Sequence, residues 1–360
     1  MKRYSDPLFS TKKKKHPALV LFFALLFLFL TVALALNHVN NSRVELLNEK
    51  VTVPNLPSAL ENFRILHISD FDGLTFGENQ ERLIHTIGDA KYDIVCITGD
   101  VTGKDGDYGP FIQLLSHFQE LNKPVYFIPG DEDPNPLIAI PHGNNSAKAD
   151  YILAAEAMGA VYLDAPERIT RGKGVLWIYP EWAYTMDIDA SAAIMNTRMA
   201  ELQKQPDSPE RNAAITAVAY QIDQMERIRA ARRVTLESDI HVALTHHPLQ
   251  LSALEDMLAF TSAENDSYVR SISLILAGHY VSGQWHLPIL GALRVPPSSG
   301  LGMNGWFPDD EKVVGLASFL GIPQYISPGL GTSDLNGLPS FRFMNTPAVT
   351  ILTLTSKLIH

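Results

Sequence analysis

Short apolar runs recur along this chain, and five of them stop abruptly at acidic or histidine side chains. The runs are Ile65–Ile68, Ile94–Ile97, Val125–Ile128, Val242–Leu244 and Ile272–Ala277. Continuous apolar runs this short, rich in Ile and Val, predict strands buried on both faces. Helical patterning separates the early runs, over Glu78–Ala90, Tyr108–Leu121 and Ala147–Met158. Strand, helix, strand in repetition predicts βαβ units and an α/β fold with helices covering the sheet.

The pattern changes between about residues 187 and 237. Ser208-Pro209-Glu210 is a helix start, with Ser as cap, Pro in the first turn and an acid at the positive end of the dipole. Ile215, Val218, Ile222, Met225 and Ile228 follow at helical spacing, with Arg227, Arg229, Arg232 and Arg233 toward the negative end. This reads as a helical insertion between two core strands, either packing on the core or overhanging the site as a cap. The Pro/Gly-rich stretch Leu287–Leu338 reads as long loops, and strands at Phe341–Phe343 and Val349–Leu354 close the sheet.

The start of the chain is of a different kind. A basic cluster, Lys12–Lys15, precedes an uncharged run from Pro17 to Leu36 that is long enough to span a bilayer. The run exceeds a signal-peptide core and has no small-x-small site directly behind it, so an uncleaved anchor is expected over a cleaved leader. The expected organisation is a cytoplasmic basic tail over 1–16, a transmembrane helix over 17–36 and a polar linker over 37–60 with a short strand at Val51–Val53. One domain over 61–357 follows. By the positive-inside rule, that domain lies outside the cytoplasm on a single-pass cell-membrane protein.

The 360 residues carry a net charge of −10, and residues 1–16 contribute +5, leaving −15 beyond the tail. An acidic exported domain excludes nucleic-acid binding driven by charge. The single cysteine, Cys96, lies inside an apolar run and rules out an internal disulfide.

The segments ending the five runs are Ser69-Asp70-Phe71-Asp72, Gly99-Asp100, Gly130-Asp131-Glu132-Asp133, His246-His247-Pro248 and Gly278-His279-Tyr280. In open α/β sheets the carboxyl ends of strands are where loops converge on a ligand. Up to six carboxylates converging with His246 and His279 would repel one another unless a cation sat between them. A divalent ion resolves that conflict, although single acids such as Asp72 and Asp133 could equally be helix caps or solvated loop residues. His67 reads as a sheet-face residue, His247 as a candidate pocket lining, and Trp182 and Trp285 as packing.

As an ordered set these segments resemble the calcineurin-like metallophosphoesterases, particularly the membrane-anchored bacterial type. That family's pattern is Asp-x-His, Gly-Asp, Gly-Asn-His-Asp/Glu, a later His before Pro, and Gly-His-x-His. Ser282-Gly283-Gln284 also resembles the Gly-Gly-Gln continuation of the anchored members. The likeness covers about residues 60–355 and implies layered β-sheets flanked by helices. It also implies hydrolysis of a phosphate mono- or diester by metal-activated water. The membrane helix makes a lipid-linked or envelope phosphate a candidate substrate; oligomeric state is left open.

The departures are specific. The resemblance implies one firmly held ion on Asp100, Asp131, His246 and His279, with Asp131 standing where the family has Asn. A second, weaker position keeps Asp70 and Asp100, has Asp72 where His is expected, and loses its last ligand to Val281. Glu132 replaces the family's outer histidine; it and Asp70 are the expected catalytic residues, Glu132 as acid. Three of the four changed positions hold carboxylates, an oxygen-rich set suiting Mg²⁺, Ca²⁺ or Mn²⁺ beside the Fe or Zn of mixed sites. The other reading is a weakened or inactive relative that binds a divalent metal or a phosphorylated partner.

Overall fold

The computed structural model describes residues 17–137, 147–260, 271–287, 290–296, 305–308, 313–332 and 340–358. The basic tail over 1–16 lies outside the described residues. Fourteen strands are described: β1 Glu45–Thr52, β2 Arg64–Ile68, β3 Ile94–Thr98, β4 Val125–Ile128, β5 Ala160–Tyr162, β6 Glu167–Arg171 and β7 Gly174–Pro180, then β8 Ile240–Leu244, β9 Ile272–Ala277, β10 Trp285–Leu287, β11 Gly291–Arg294, β12 Gly315–Phe319, β13 Ile322–Ile326 and β14 Ala348–Thr355. The helices are α1 Pro17–Asn41, α2 Glu81–Ile87, α3 Gly109–Glu120, α4 Asp150–Ala157, α5 Ile188–Gln203, α6 Pro209–Val234 and α7 Leu251–Phe260.

Twelve strands form two six-stranded sheets, ordered β1-β14-β2-β3-β4-β5 and β12-β13-β9-β8-β7-β6. β2 through β5 run parallel in the first sheet, and β7, β8, β9 and β13 run parallel in the second. The sheets face each other across a core that includes Ile65, Ile94, Cys96, Leu176, Val242, Leu274 and Leu352. Phe111, Leu114, Phe118 and Ile152 of α3 and α4 cover the outer face of the first sheet. Met225 and Ile228 of α6 and Leu254 of α7 cover the second, against Trp177, Tyr179 and Ala243. The result is four layers: helices, sheet, sheet, helices. Burial on both faces is why these strands read as unbroken apolar runs.

Several boundaries differ from expectation for physical reasons. β1 starts at Glu45 and pairs all eight residues with β14, so part of the expected linker is an edge strand. Its outward residues are polar, which blurs the apolar signal that marked only Val51–Val53. The stretch expected to be loops contains β12 and β13, and β13 adds parallel to β9. Its sequence, Ile-Pro-Gln-Tyr-Ile, hides the strand because Pro is rare inside sheets. No strand forms at Phe341–Phe343 beyond an isolated bridge at Phe343. There the carbonyl of Arg342 accepts instead from the Asn37 and Asn41 side chains, at 3.0 and 2.7 Å.

α1 extends to Asn41, five residues beyond the charge-free run, and is almost wholly exposed. Its length and apolar character suffice to cross a membrane. α5 and α6 lie between β7 and β8, and α6 begins where the Ser208 hydroxyl accepts from the Arg211 amide at 3.2 Å.

Candidate metal centre

All five acid- and histidine-bearing segments leave the carboxyl ends of parallel strands: β2, β3, β4, β8 and β9. Asp70, Asp72 and Asp100 turn out of their strands at φ values of 50°, 52° and 52°, and His279 at 71°. Asp is among the few residues that enter this left-handed region at low cost, and such turns concentrate at functional sites. Gly99 is required by space as well as by its φ of 90°: a Cβ there would lie 2.7 Å from the Gly130 Cα and collide with the His246 ring.

Two ligand-like groups result, sharing His246. Asp70, Asp100 and His246 form one, fully buried; Asp131, His246, His247 and His279 form the other, opening to solvent. The four residues expected to hold the firm ion are therefore divided, with Asp100 reaching the second group only through His246. His247, read from sequence as pocket lining, is a full member of that group.

The spacings suit a cation. Asp100 Oδ2 lies 3.2 Å from His246 Nε2, which lies 3.3 Å from His279 Nδ1. His279 Nδ1 in turn lies 3.7 Å from Asp131 Oδ2. Bonds of about 2.0–2.2 Å to one ion place neighbouring ligand atoms roughly 3.0–3.6 Å apart. Two imidazole nitrogens facing each other need a proton or a metal between them. The donor set therefore fits a divalent ion.

Orientation comes from the backbone. His246 Nδ1 bonds the Thr98 carbonyl at 2.9 Å, which turns Nε2 toward the centre. Asp70 accepts from the His279 amide at 2.8 Å and the Ser69 hydroxyl at 2.5 Å, and Asp100 accepts from the Glu132 amide at 2.9 Å.

Electrostatics follow from burial and crowding. Burial pushes the Asp70 carboxyl up to about 6, opposed by His246 and reinforced by Asp100. Burial also lifts Asp72 well above the carboxylate range, with Asp100 and Asp70 adding repulsion. At Asp100 burial acts the same way, but the hydrogen bond and charge of His246 outweigh it and leave the group lowered. For His246, Asp100 overcomes the cost of burial and raises the ring to about 10. Burial, then the charges of His246 and His247, hold His279 down at about 3. The hydrogen bond from His247 takes Asp131 to about 2.

The remaining acids divide sharply. Asp133 is a loop clip: its oxygens accept from the amides of Val101 at 2.9 Å and of Thr102 and Gly130 at 2.8 Å. Asp72 joins neither group; one oxygen accepts from the Thr332 amide at 2.5 Å, and the other has no hydrogen-bond partner among the described residues. Glu132 also stands outside both groups, with Lys104 Nζ 3.9 Å from its Oε2. Val281 is buried, at φ 43°, against Gly329. His67 is a core residue bonded to the Thr98 hydroxyl at 2.9 Å.

Arg342 had no signal in the sequence. It is buried, and its guanidinium donates to the carbonyls of Gly331 at 2.9 Å and of Pro328 and Asn345 at 3.0 Å. The same loop returns the Gly331 amide to the Asp70 carbonyl and the Thr332 amide to Asp72. Burial lowers the guanidinium to about 10, while Asp70 and Asp72 act to raise it.

No curated protein matches the chain. Among solved structures, a phosphopantetheinyl hydrolase from Mycobacterium tuberculosis is similar at 14% identity, with a TM-score of 0.33, covering 74% of this chain and 89% of that one. The sequence profile of the calcineurin-like phosphoesterases matches residues 63–283, a span holding every member of both ligand groups. On that match, over more than half of its length, the chain belongs to the calcineurin-like phosphoesterase family.

Proposed function

We propose that this protein is a metal-dependent phosphoesterase, held at a membrane by α1, that hydrolyses a phosphate mono- or diester. The observation carrying this reading is the pair of ligand groups joined at His246, at the carboxyl ends of strands from both sheets. Three imidazoles beside Asp131 favour a borderline ion such as Zn²⁺, Mn²⁺ or Fe²⁺ there, whereas Asp70 and Asp100 favour a harder one. Bound there, the ion supplies Lewis acidity, polarising phosphoryl oxygens and acidifying water.

The chain's own residues do the rest. Asp70, Asp100 and His246 are fixed by backbone bonds, so their geometry needs no reorganisation when a phosphate arrives. His247 sits half-exposed at the mouth with Nε2 2.8 Å from Asp131 Oδ2, the outermost imidazole of its group. Glu132, the expected proton donor, lies on the same turn as Asp131, with Lys104 Nζ 3.9 Å from its Oε2.

Membrane retention is supported by how α1 ends. Besides the two bonds to the Arg342 carbonyl, the Asn37 side chain accepts from the Met344 amide at 2.8 Å. These bonds tie the end of α1 to the domain. The basic cluster ahead of the helix favours, by the positive-inside rule, a domain outside the cytoplasm, within reach of a lipid-linked or envelope phosphate.

The test uses the full chain in nanodiscs with Mn²⁺ and a bis-aryl phosphate, beside Asp100→Asn. Equal rates from the two proteins would remove the enzyme reading. Intact-mass measurement of the membrane fraction tests the anchor; a species lacking residues 1–36 would sink it. Asp72 turned to Thr332 and the apolar Val281 favour a second reading, a metal-binding relative without turnover. Calorimetry showing Mn²⁺ binding with no hydrolysis would select it.

A further inference from the structure

A recess of 330 Å³ opens beside the centre, and His246 forms part of its wall. Its other sides come from loops of both sheets: Pro129 after β4, Tyr162 and Leu163 at and beyond the end of β5, and Glu181 and Trp182 after β7. Pro129 immediately precedes Gly130-Asp131, so recess and ligand groups are built on the same turn.

Much of the wall is apolar, and Glu181 is its one acid. The Glu181 carboxylate has neither an ion-pair nor a hydrogen-bond partner among the described residues and is part-exposed. A donor entering the recess can therefore reach it. The turn carrying it is held rigidly, because Arg232 of α6 donates to the Ala183 carbonyl at 2.7 Å and Tyr184 is fully buried. Gln224 of α6 also reaches the recess, so the insertion contributes to its wall.

We propose that this recess takes the organic arm of the phosphoester: a compact aromatic or branched apolar group bearing a hydroxyl or amine donor for Glu181. The proposal rests on the phosphoesterase reading and names its substrate class. The volume lies near the lower end for small-molecule sites, which suits a single substituted ring. It is too small for an acyl chain, so the tail of a lipid-linked substrate would lie outside. Trp182, partly exposed at 39%, offers a ring face at the rim. Burial pushes the Glu181 carboxyl up, the direction a bound amine or hydroxyl would reverse.

The test is calorimetry on the full chain in nanodiscs, loaded with Mn²⁺, using phosphonates that cannot be hydrolysed. Phenylphosphonate should bind roughly tenfold tighter than methylphosphonate, the gain expected for a partly buried ring. Trp182→Ala should collapse that ratio, with Mn²⁺ affinity as the check that the fold is kept. An aminomethyl group on the ring should add affinity that Glu181→Gln removes. Equal binding of phenyl- and methylphosphonate, or no phosphonate binding at all, would overturn the recess. Selective binding without turnover of the matching esters would overturn only the hydrolysis reading.

Discussion

Replacing Arg342 with Met tests whether the centre is organised from behind. The guanidinium serves three buried backbone carbonyls, those of Gly331, Pro328 and Asn345, together with the Asn345 side-chain oxygen at 2.9 Å. Met fills a similar volume but donates nothing, so these acceptors lose their partner out of reach of water. At the low end of about 1 kcal/mol for each of the four acceptors left unsatisfied, destabilisation should be about 4 kcal/mol. Arg342→Lys should recover little of it, because a single ammonium cannot reproduce a planar fork. Thermal unfolding measures the stability term. Calorimetry with Mn²⁺ measures a second, because a loosened 328–332 segment frees Asp72 from the Thr332 amide and shifts Asp70 through the Gly331 amide. A Met variant within about 1 kcal/mol of wild type, binding Mn²⁺ with unchanged affinity, would refute the buttress argument.

Asp133→Ala should cost about 2–3 kcal/mol, since three amides lose their acceptor, while the number of ions bound stays the same. Loss of an ion at unchanged unfolding temperature would show that Asp133 is a ligand after all. Gly99→Ala should lower Mn²⁺ affinity at least about tenfold, because a Cβ there drives the His246 ring off its position; a normal isotherm contradicts the packing. Burial holds His241 neutral, at about 4 in the folded protein against 6.5 unfolded. Below pH 6.5 the unfolded chain therefore binds a proton that the folded one refuses. Stability falls as pH drops from about 6.5 to 4 and levels off below, by about 3 kcal/mol from this group. His241→Phe, which keeps a ring stacked on Tyr179, should flatten that part of the profile relative to wild type; parallel profiles would dismiss the assignment.

What the sequence revealed and what it withheld have one physical origin. β2, β3, β4, β8 and β9 are parallel strands buried on both faces, so each spells itself as an apolar run, and each ends where a polar residue turns out. That juxtaposition is local and therefore legible. β1 and β13 broke the rule, one by exposing a polar face and the other by carrying Pro323 and Gln324. Arg342 bonds backbone carbonyls, and carbonyls have no letter in the sequence. Its partners could be found only once β14 had brought the preceding loop under Asp70 and Asp72.

The three acids at 131, 132 and 133 show where reasoning from residue type has to stop. All are carboxylates within a single turn after β4, yet one faces His247, one faces Lys104 and one is wrapped by three amides. Side-chain chemistry cannot separate them; the direction in which the backbone leaves the strand can. The same holds across the centre. Asp70 and Asp72 have similar positive φ values, but only Asp70 meets His246, while Asp72 accepts from the Thr332 amide. Phe71 between them is buried in the core. The expected weaker position near Asp70 and Asp72 would need Asp72 to turn inward from the Thr332 amide, whereas Asp131, His246, His247 and His279 already converge.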